Sequence, residues 1–240
     1  MMSSKLRADA LARLNAETAD CRLCPRLVAW REQMAGQRRA AYAKEAYWGR
    51  PVPGFGDPDA WLLIVGLAPG AHGSNRTGRP FTGDRSGDWL FASLHRASLA
   101  SQAQAMAVGD GLRLQGAYIT ACVRCAPPLN KPRPEEWERC RPYLARELDI
   151  LSELRVAVCL GQFAWDRLLR LLRDRGLALP RPLPRFGHGV QMRVGSLTVI
   201  ASYHPSQQNT FTGKLTEAML DQIWAAAWAV GAVPDGDPGS

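Results

Sequence analysis

Four short apolar runs punctuate the chain, at Trp61–Val65, Ala117–Thr120, Val156–Leu160 and Leu197–Ala201. Gly, Pro or polar residues lie close to the ends of each. A continuous apolar run of this length, without alternation, is the pattern of a strand buried on both faces of a parallel sheet. Between and around the runs lie stretches that read as helices: Ser4–Asn15, Leu27–Ala46, Ser86–Ser98, Pro134–Leu151, Gln162–Asp174 and Thr216–Val230. Asp84 and Ser86 are candidate N-caps for the third of these. Pro134 opens the fourth, with acidic residues in its first turn, where proline and negative charge are both favoured. Strands alternating with helices predict a three-layer α/β/α domain around a central, mostly parallel four-stranded sheet. No internal repeat or long linker divides residues 1–240, so one domain is expected. The small, polar tail Pro234–Ser240 is expected to fray. Ligands of such sheets bind in loops beyond the carboxyl ends of the strands. The loops after Val65 and after Ala201 occupy that position.

Composition narrows the setting. A chain of 240 residues with 46% hydrophobic and 22% charged content is ordinary for a globular domain. No apolar run approaches the ~20 residues that span a bilayer, and the first residues lack the apolar core of a signal peptide. A cytoplasmic protein is therefore expected. In a reducing compartment, spaced cysteines point to metal rather than to disulfides. The net charge is +8, and of the 30 basic residues only Lys5, Lys44, Lys131 and Lys214 are lysines. Genomic base composition accounts for arginine over lysine as readily as function does. It does not account for the excess of positive charge, which favours a polyanionic partner.

Cys21-x-x-Cys24 puts two thiols on one tight turn. Cys125 and Cys140 lie further along, the first opening a Pro-rich loop and the second in a predicted helix. Spacing alone leaves an iron–sulfur cluster and a structural zinc equally open, beside a reading of four unrelated thiols. Cys159 falls in an apolar strand and reads as core. Cys122 is close to Cys125, but Cys125 is preferred for its place at the head of the Pro127-Pro128 loop.

Two loops hold the candidate chemistry. The first runs Gly66-Leu-Ala-Pro-Gly-Ala-His-Gly-Ser-Asn-Arg-Thr-Gly-Arg-Pro-Phe-Thr-Gly-Asp84. Its glycines allow close backbone approach to a ligand. Arg76 and Arg79 offer phosphate contacts, Phe81 a stacking plane, and Asp84 the only carboxylate of the loop. Equally, Phe81 serves as core and Asp84 as a helix cap in a purely structural reading. The glycine spacing fits neither the dinucleotide fingerprint nor a P-loop. The second loop is Ser202-Tyr-His-Pro-Ser-Gln-Gln-Asn-Thr-Phe-Thr-Gly-Lys214. It sets His204 at a strand end, ahead of the polar residues Gln208, Asn209 and Lys214, which suit phosphates or base edges.

Three segments, Arg79-Pro-Phe-Thr-Gly-Asp84, Cys125-Ala-Pro-Pro-Leu-Asn-Lys-Pro132 and Tyr203-His-Pro-Ser206, together with the four cysteines in this order, resemble the family 5 (B-type) uracil-DNA glycosylases. The resemblance spans nearly all of Cys21–Leu220. It implies a [4Fe–4S] cluster on Cys21, Cys24, Cys125 and Cys140. It implies a damaged nucleotide flipped out of DNA, with Asp84 and His204 as catalytic groups. Gly66, Leu67, Ala68, Phe81 and, on weaker grounds, Asn130 would surround the base. Arg76, Arg79, Gln208, Asn209 and Lys214 would grip the DNA. Leu67 and Ala121 stand where the related family 4 has an acidic residue and an asparagine. Both match family 5 and imply a permissive pocket, open to hypoxanthine, xanthine and etheno-cytosine beside uracil. A monomer acting on the chromosome of a bacterial or archaeal cell is expected. Two other classes compete. A non-catalytic nucleic-acid binder with a structural four-Cys metal site would need neither Asp84 nor His204. A hydrolase of free nucleosides would not need the positive charge.

Overall fold

The computed structural model describes residues 2–231, so the tail Pro234–Ser240 lies outside the described residues. The chain opens with two helices, α1 (Ser4–Asp20) and α2 (Pro25–Gln37), on either side of the Cys21–Cys24 turn. The first runs five residues beyond its apolar pattern. The second stops well short of Ala46, at a residue in the left-handed region, Arg38 with φ 48°. Then follow β1 (Phe55–Gly56), β2 (Leu62–Gly66), α3 (Ser74–Thr77), α4 (Arg85–Arg96), β3 (Ala117–Ala121), α5 (Pro134–Ile150), β4 (Val156–Leu160) and α6 (Gln162–Asp174). The described residues end with β5 (Gln191–Val194), β6 (Leu197–Ser202), α7 (Gln207–Phe211) and α8 (Glu217–Gly231).

Among the described residues the sheet has six strands, not four, in the order β1-β3-β2-β4-β6-β5. The four apolar runs form its parallel centre. The two additional strands are antiparallel edges. Their sequences gave little sign of them. Phe55–Gly56 is two residues inside a Gly/Pro-rich stretch, and Gln191–Val194 alternates exposed and buried residues, as a half-covered edge does.

Side chains alternate across the sheet and build two cores. Leu63, Val65, Tyr118, Ala157, Cys159, Val199 and Ala201 face one side, against residues of α1, α2, α5 and α6. Leu62, Ile64, Ile119, Val156, Val158 and Ile200 face the other, against α4 and α8. These are the three predicted layers. From β2 the chain goes outward to β3, then returns to the other side of β2 as β4. The strand order therefore reverses at the carboxyl end of β2, the place where open α/β sheets form a ligand crevice. The long glycine loop leaves the sheet at that point.

Candidate active site

The root of the first loop is tied down by backbone bonds. The Cys122 and Val123 N–H groups donate to the Gly66 and Leu67 carbonyls, each at 3.0 Å. Gly66 pairs in register with Ala121, which sets Leu67 and Ala121 side by side at the strand ends, both half-buried. A side chain on Gly66 would meet the Phe81 ring at 3.0 Å. Phe81 is held in the left-handed region, φ 50°, a conformation that costs a non-glycine residue free energy. Its carbonyl oxygen packs so closely on Gly87 that any Cβ there would overlap it. The Phe81 ring lies against the His204 ring, centroids 5.7 Å apart and planes inclined by 32°. The two chemistry-bearing loops thus meet at one place, above the end of β2.

Asp84 is the N-cap of α4, accepting the Gly87 N–H at 3.0 Å through Oδ1. That confirms the structural reading without removing the other. Its Oδ2 faces the Gly70–Gly73 turn, where a Cβ on Gly73 would overlap the carboxylate. One oxygen caps the helix while the other points into the glycine loop. Burial pushes the Asp84 carboxyl above the ordinary aspartate range, against the opposing pull of the Gly87 and Ser86 amides.

His204 follows β6. Asn209 Nδ2 donates to its carbonyl at 2.8 Å, and among the described residues no group engages its ring nitrogens. Crowding by protein pushes its imidazole down to about 4, so the ring is neutral at physiological pH. A neutral imidazole keeps one N–H free to donate to a bound anion.

The structure corrects several DNA-contact assignments. Arg76 is buried: it pairs with Glu45 and donates to the His72 carbonyl at 2.9 Å and the Gly83 carbonyl at 2.8 Å. Arg79 is 4% exposed and grips Asp110 through both terminal nitrogens, at 2.9 and 2.7 Å. Both arginines brace the loop rather than reach outward. Asn209 spends its amide nitrogen on His204, so it positions that residue. Gln208 and Lys214 are exposed as expected, Lys214 with its ammonium 4.9 Å from the centre of the Tyr203 ring. Asn130 is exposed at φ 55°, beside Leu129, which is 84% exposed. Among the described residues it makes no hydrogen bond to Asp84 or His204, its N–H donating instead to the Pro127 carbonyl at 3.2 Å. Elsewhere in the first loop, His72 Nδ1 shares a hydrogen bond with the Tyr47 hydroxyl at 3.1 Å, and Asn75 donates to the Arg31 carbonyl at 3.2 Å while its Oδ1 is buried without a partner among the described residues.

Sequence reasoning missed Arg85. It is exposed, has no carboxylate partner among the described residues, and stacks over the exposed Phe211 ring at 5.0 Å. One signal was present: a cation in the first turn of a helix opposes the helix dipole, so it is favoured there only with an anion to meet. Lys214→Ala is expected to flatten the log–log salt dependence of DNA binding by about 0.9, one phosphate's worth. Arg79→Ala should leave that slope unchanged and instead lower stability by roughly 1–3 kcal/mol, because it removes the bidentate partner of the part-buried Asp110, whose carboxylate keeps only the Met106, Ala107 and Leu112 N–H donors. Salt titrations and denaturant melts of the two variants separate the roles.

The four thiols also come together. Cys21, Cys24, Cys125 and Cys140 line one partly open cavity where the α1–α2 turn, the turn after β3 and α5 meet. The buried Arg31 donates to Cys125 Sγ at 2.9 Å, and the Arg124 N–H approaches Cys140 Sγ at 3.3 Å. Such donors suit thiolates. No three His, Cys, Asp or Glu side chains among the described residues gather around a point fit for a single ion. Cys159 and Cys122 are fully buried, Cys159 inside β4.

A family model for the uracil DNA glycosylase superfamily matches residues 53–228. The chain belongs to that superfamily, among its type-5 members. A type-5 uracil-DNA glycosylase of Mycobacterium tuberculosis is 52% identical over 222 residues, 92% of this chain and 81% of the relative. One from Thermus thermophilus is 54% identical over 204 residues, 85% of this chain and 90% of the relative. A type-4 enzyme of Archaeoglobus fulgidus is more distant, 35% identical over 156 residues. The crystal structure of Pedobacter heparinus SMUG2 shares the fold, with a TM-score of 0.50 at 15% identity over 95% of this chain and 98% of that one. The type-5 relatives include bacterial and archaeal proteins. Among the described residues no helix is long and apolar enough to cross a membrane.

Proposed function

We propose that this chain hydrolyses the N-glycosidic bond of uracil in DNA and leaves an abasic site. One observation carries the reading: at the β2 switch point the half-buried Asp84 carboxylate, with Oδ2 facing the Gly70–Gly73 turn of the first loop, shares a crevice edge with the neutral His204 imidazole, which lies against Phe81 of that same loop and has no ring-nitrogen partner among the described residues. A base inside a duplex is out of reach, so the nucleotide must swing into this crevice. Phe81 supplies the stacking face. As the bond between C1′ and the base nitrogen breaks, its electron pair leaves with the base and the sugar becomes cationic. His204 donates its N–H to the anionic base, with help from the Ala68 amide. The Asp84 carboxylate balances the sugar cation and holds the water that adds to C1′, taking up its proton. Exposed Lys214 and Arg85, with Gln208, would contact the phosphates and the groove.

The small or apolar side chains of Ala121 and Leu67 beside Gly66 offer no amide or acid to read uracil. That supports a pocket that also accepts hypoxanthine, xanthine or etheno-cytosine. Duplexes carrying one lesion each, incubated with the protein and then cleaved with alkali at abasic sites, test both points. No strand cleavage at uracil would reject the proposal.

The four-cysteine cavity fits a [4Fe–4S] cluster held by Cys21, Cys24, Cys125 and Cys140. Among the described residues no three of these side chains gather around a point fit for one ion, and Arg31 donates to Cys125 Sγ, which supports this over a single zinc ion. A bound cluster supplies a cross-link and no chemical step: it would pin the α1–α2 turn to α5 and to the turn after β3. Protein prepared without oxygen is expected to be brown, with iron and sulfide. Cys125→Ala should lose the colour, and Cys159→Ala should keep it. Stoichiometric zinc without iron would overturn the assignment.

A further inference from the structure

His188 lies in the loop before β5, outside every motif so far discussed. Its two ring nitrogens are both engaged. Nδ1 accepts the Tyr203 N–H at 3.1 Å, and Nε2 faces the Met219 carbonyl of α8 at 3.1 Å. Only one form satisfies both partners: neutral, with the proton on Nε2. The ring also packs on Tyr203, centroids 5.2 Å apart, and Phe186 covers another part of the same ring at 6.2 Å. The loop is clamped to β6 by two backbone bonds, Gly189 N–H to the Ala201 carbonyl and Ala201 N–H to the Val190 carbonyl, both 2.8 Å. Gly189 sits at φ 78°, so the turn that aims His188 at Tyr203 depends on a glycine.

Tyr203 is the residue directly before His204. The peptide that carries His204 is therefore fixed on both sides: His188 holds the Tyr203 N–H, Ser202 Oγ donates to the Tyr203 carbonyl at 3.0 Å, and Asn209 holds the His204 carbonyl. We propose that His188 is a positioning residue for His204, its unprotonated Nδ1 fixing the strand end from which the His204 ring reaches the leaving base. This rests on the reading of His204 given above. A side chain that acts at a distance of one peptide matters because small displacements of a donor from the developing charge are costly in rate.

The competing role is a tether between α8 and the sheet, carried by the Nε2 bond alone. Two isosteric replacements separate them. In His188→Asn the amide oxygen falls near Nδ1 and still accepts from Tyr203, while the bond to Met219 is lost. In His188→Gln the amide nitrogen falls near Nε2 and still reaches Met219, while the bond to Tyr203 is lost. Single-turnover excision of uracil by the holoprotein is expected to stay within a few-fold of wild type in His188→Asn. It should fall on the order of 10-fold to 100-fold in His188→Gln, with DNA affinity unchanged. Equal losses in both, or losses in the opposite order, overturn the proposal in favour of the tether. A second measurement stands if either variant melts early. In a His204→Ala background, His188→Gln should cost almost nothing more, because its effect passes through His204. A full additional loss there would show that His188 acts by another route. Should His204→Ala itself leave excision unchanged, the reading of His204 has failed at its own step and takes the proposal with it.

Discussion

Asp84→Asn is expected to lower uracil excision by roughly 10²–10⁴-fold, the usual contribution of a positioned acid–base group, without loss of folding. Asparagine caps a helix as well as aspartate does. The Gly87 N–H keeps its acceptor, and the side chain keeps its shape between Gly70 and Gly73. Only the charge goes. Stability should hold or rise at neutral pH, and the sign follows from the shift. Burial raises the Asp84 carboxyl in the folded state, so the fold favours its protonated form. The ionised group therefore costs stability at all pH values above the folded titration point, and the cost vanishes below the unfolded one. Asparagine removes the cost at every pH. The same shift predicts an acid limb in the wild-type rate. Excision needs the carboxylate, so it should fall as pH drops through a point above the ordinary aspartate range. That limb should be missing in Asp84→Asn. A variant that excises within a few-fold of wild type would reduce Asp84 to a cap.

The sequence made the centre of the sheet legible and its edges not. Strands buried on both faces are continuous apolar runs, so Leu62–Gly66, Ala117–Ala121, Val156–Leu160 and Leu197–Ser202 stood out within a residue or so. The edges pair on one side only and need no such run. Helix ends were read with less success where a backbone kink rather than composition stops the helix, as at Arg38. The candidate site divided in a similar way. Asp84, Phe81 and His204 were legible because their loops follow apolar strands, and the fold brings those strand ends together. Arg76 and Arg79 were misread because their roles depend on Glu45 and Asp110, each far away in the chain. A loop arginine looks the same in sequence whether it meets a phosphate or a carboxylate of its own chain. Arg85 and His188 were missed for the reverse reason, since each acquires its meaning only from a neighbour brought by the fold.

His204→Ala is expected to slow uracil excision by roughly 2.7–4 kcal/mol, the cost of removing one donor aimed at a developing negative charge. The ring lies against Phe81, and its nitrogens are engaged by no other group among the described residues. Its loss therefore exposes no buried partner, and melting temperature should change little. Charge develops most fully on bases that leave with difficulty. The penalty should be smaller for a base that already departs as a stable anion, so the ratio of rates between poor and good leaving bases should widen in the variant. Equal losses on every lesion would indicate that the loop from Ser202 to Lys214 had collapsed. The pH profile adds an independent check. Crowding pushes the His204 imidazole down to about 4, so it gains no charge through the physiological range. The acid limb of the rate then belongs to Asp84, and His204→Ala should lower the whole profile while leaving that limb in place. If the limb vanished with His204 instead, the ring would be acting as a titrating acid rather than as a neutral donor, and the division of labour between the two loops would have to be reversed.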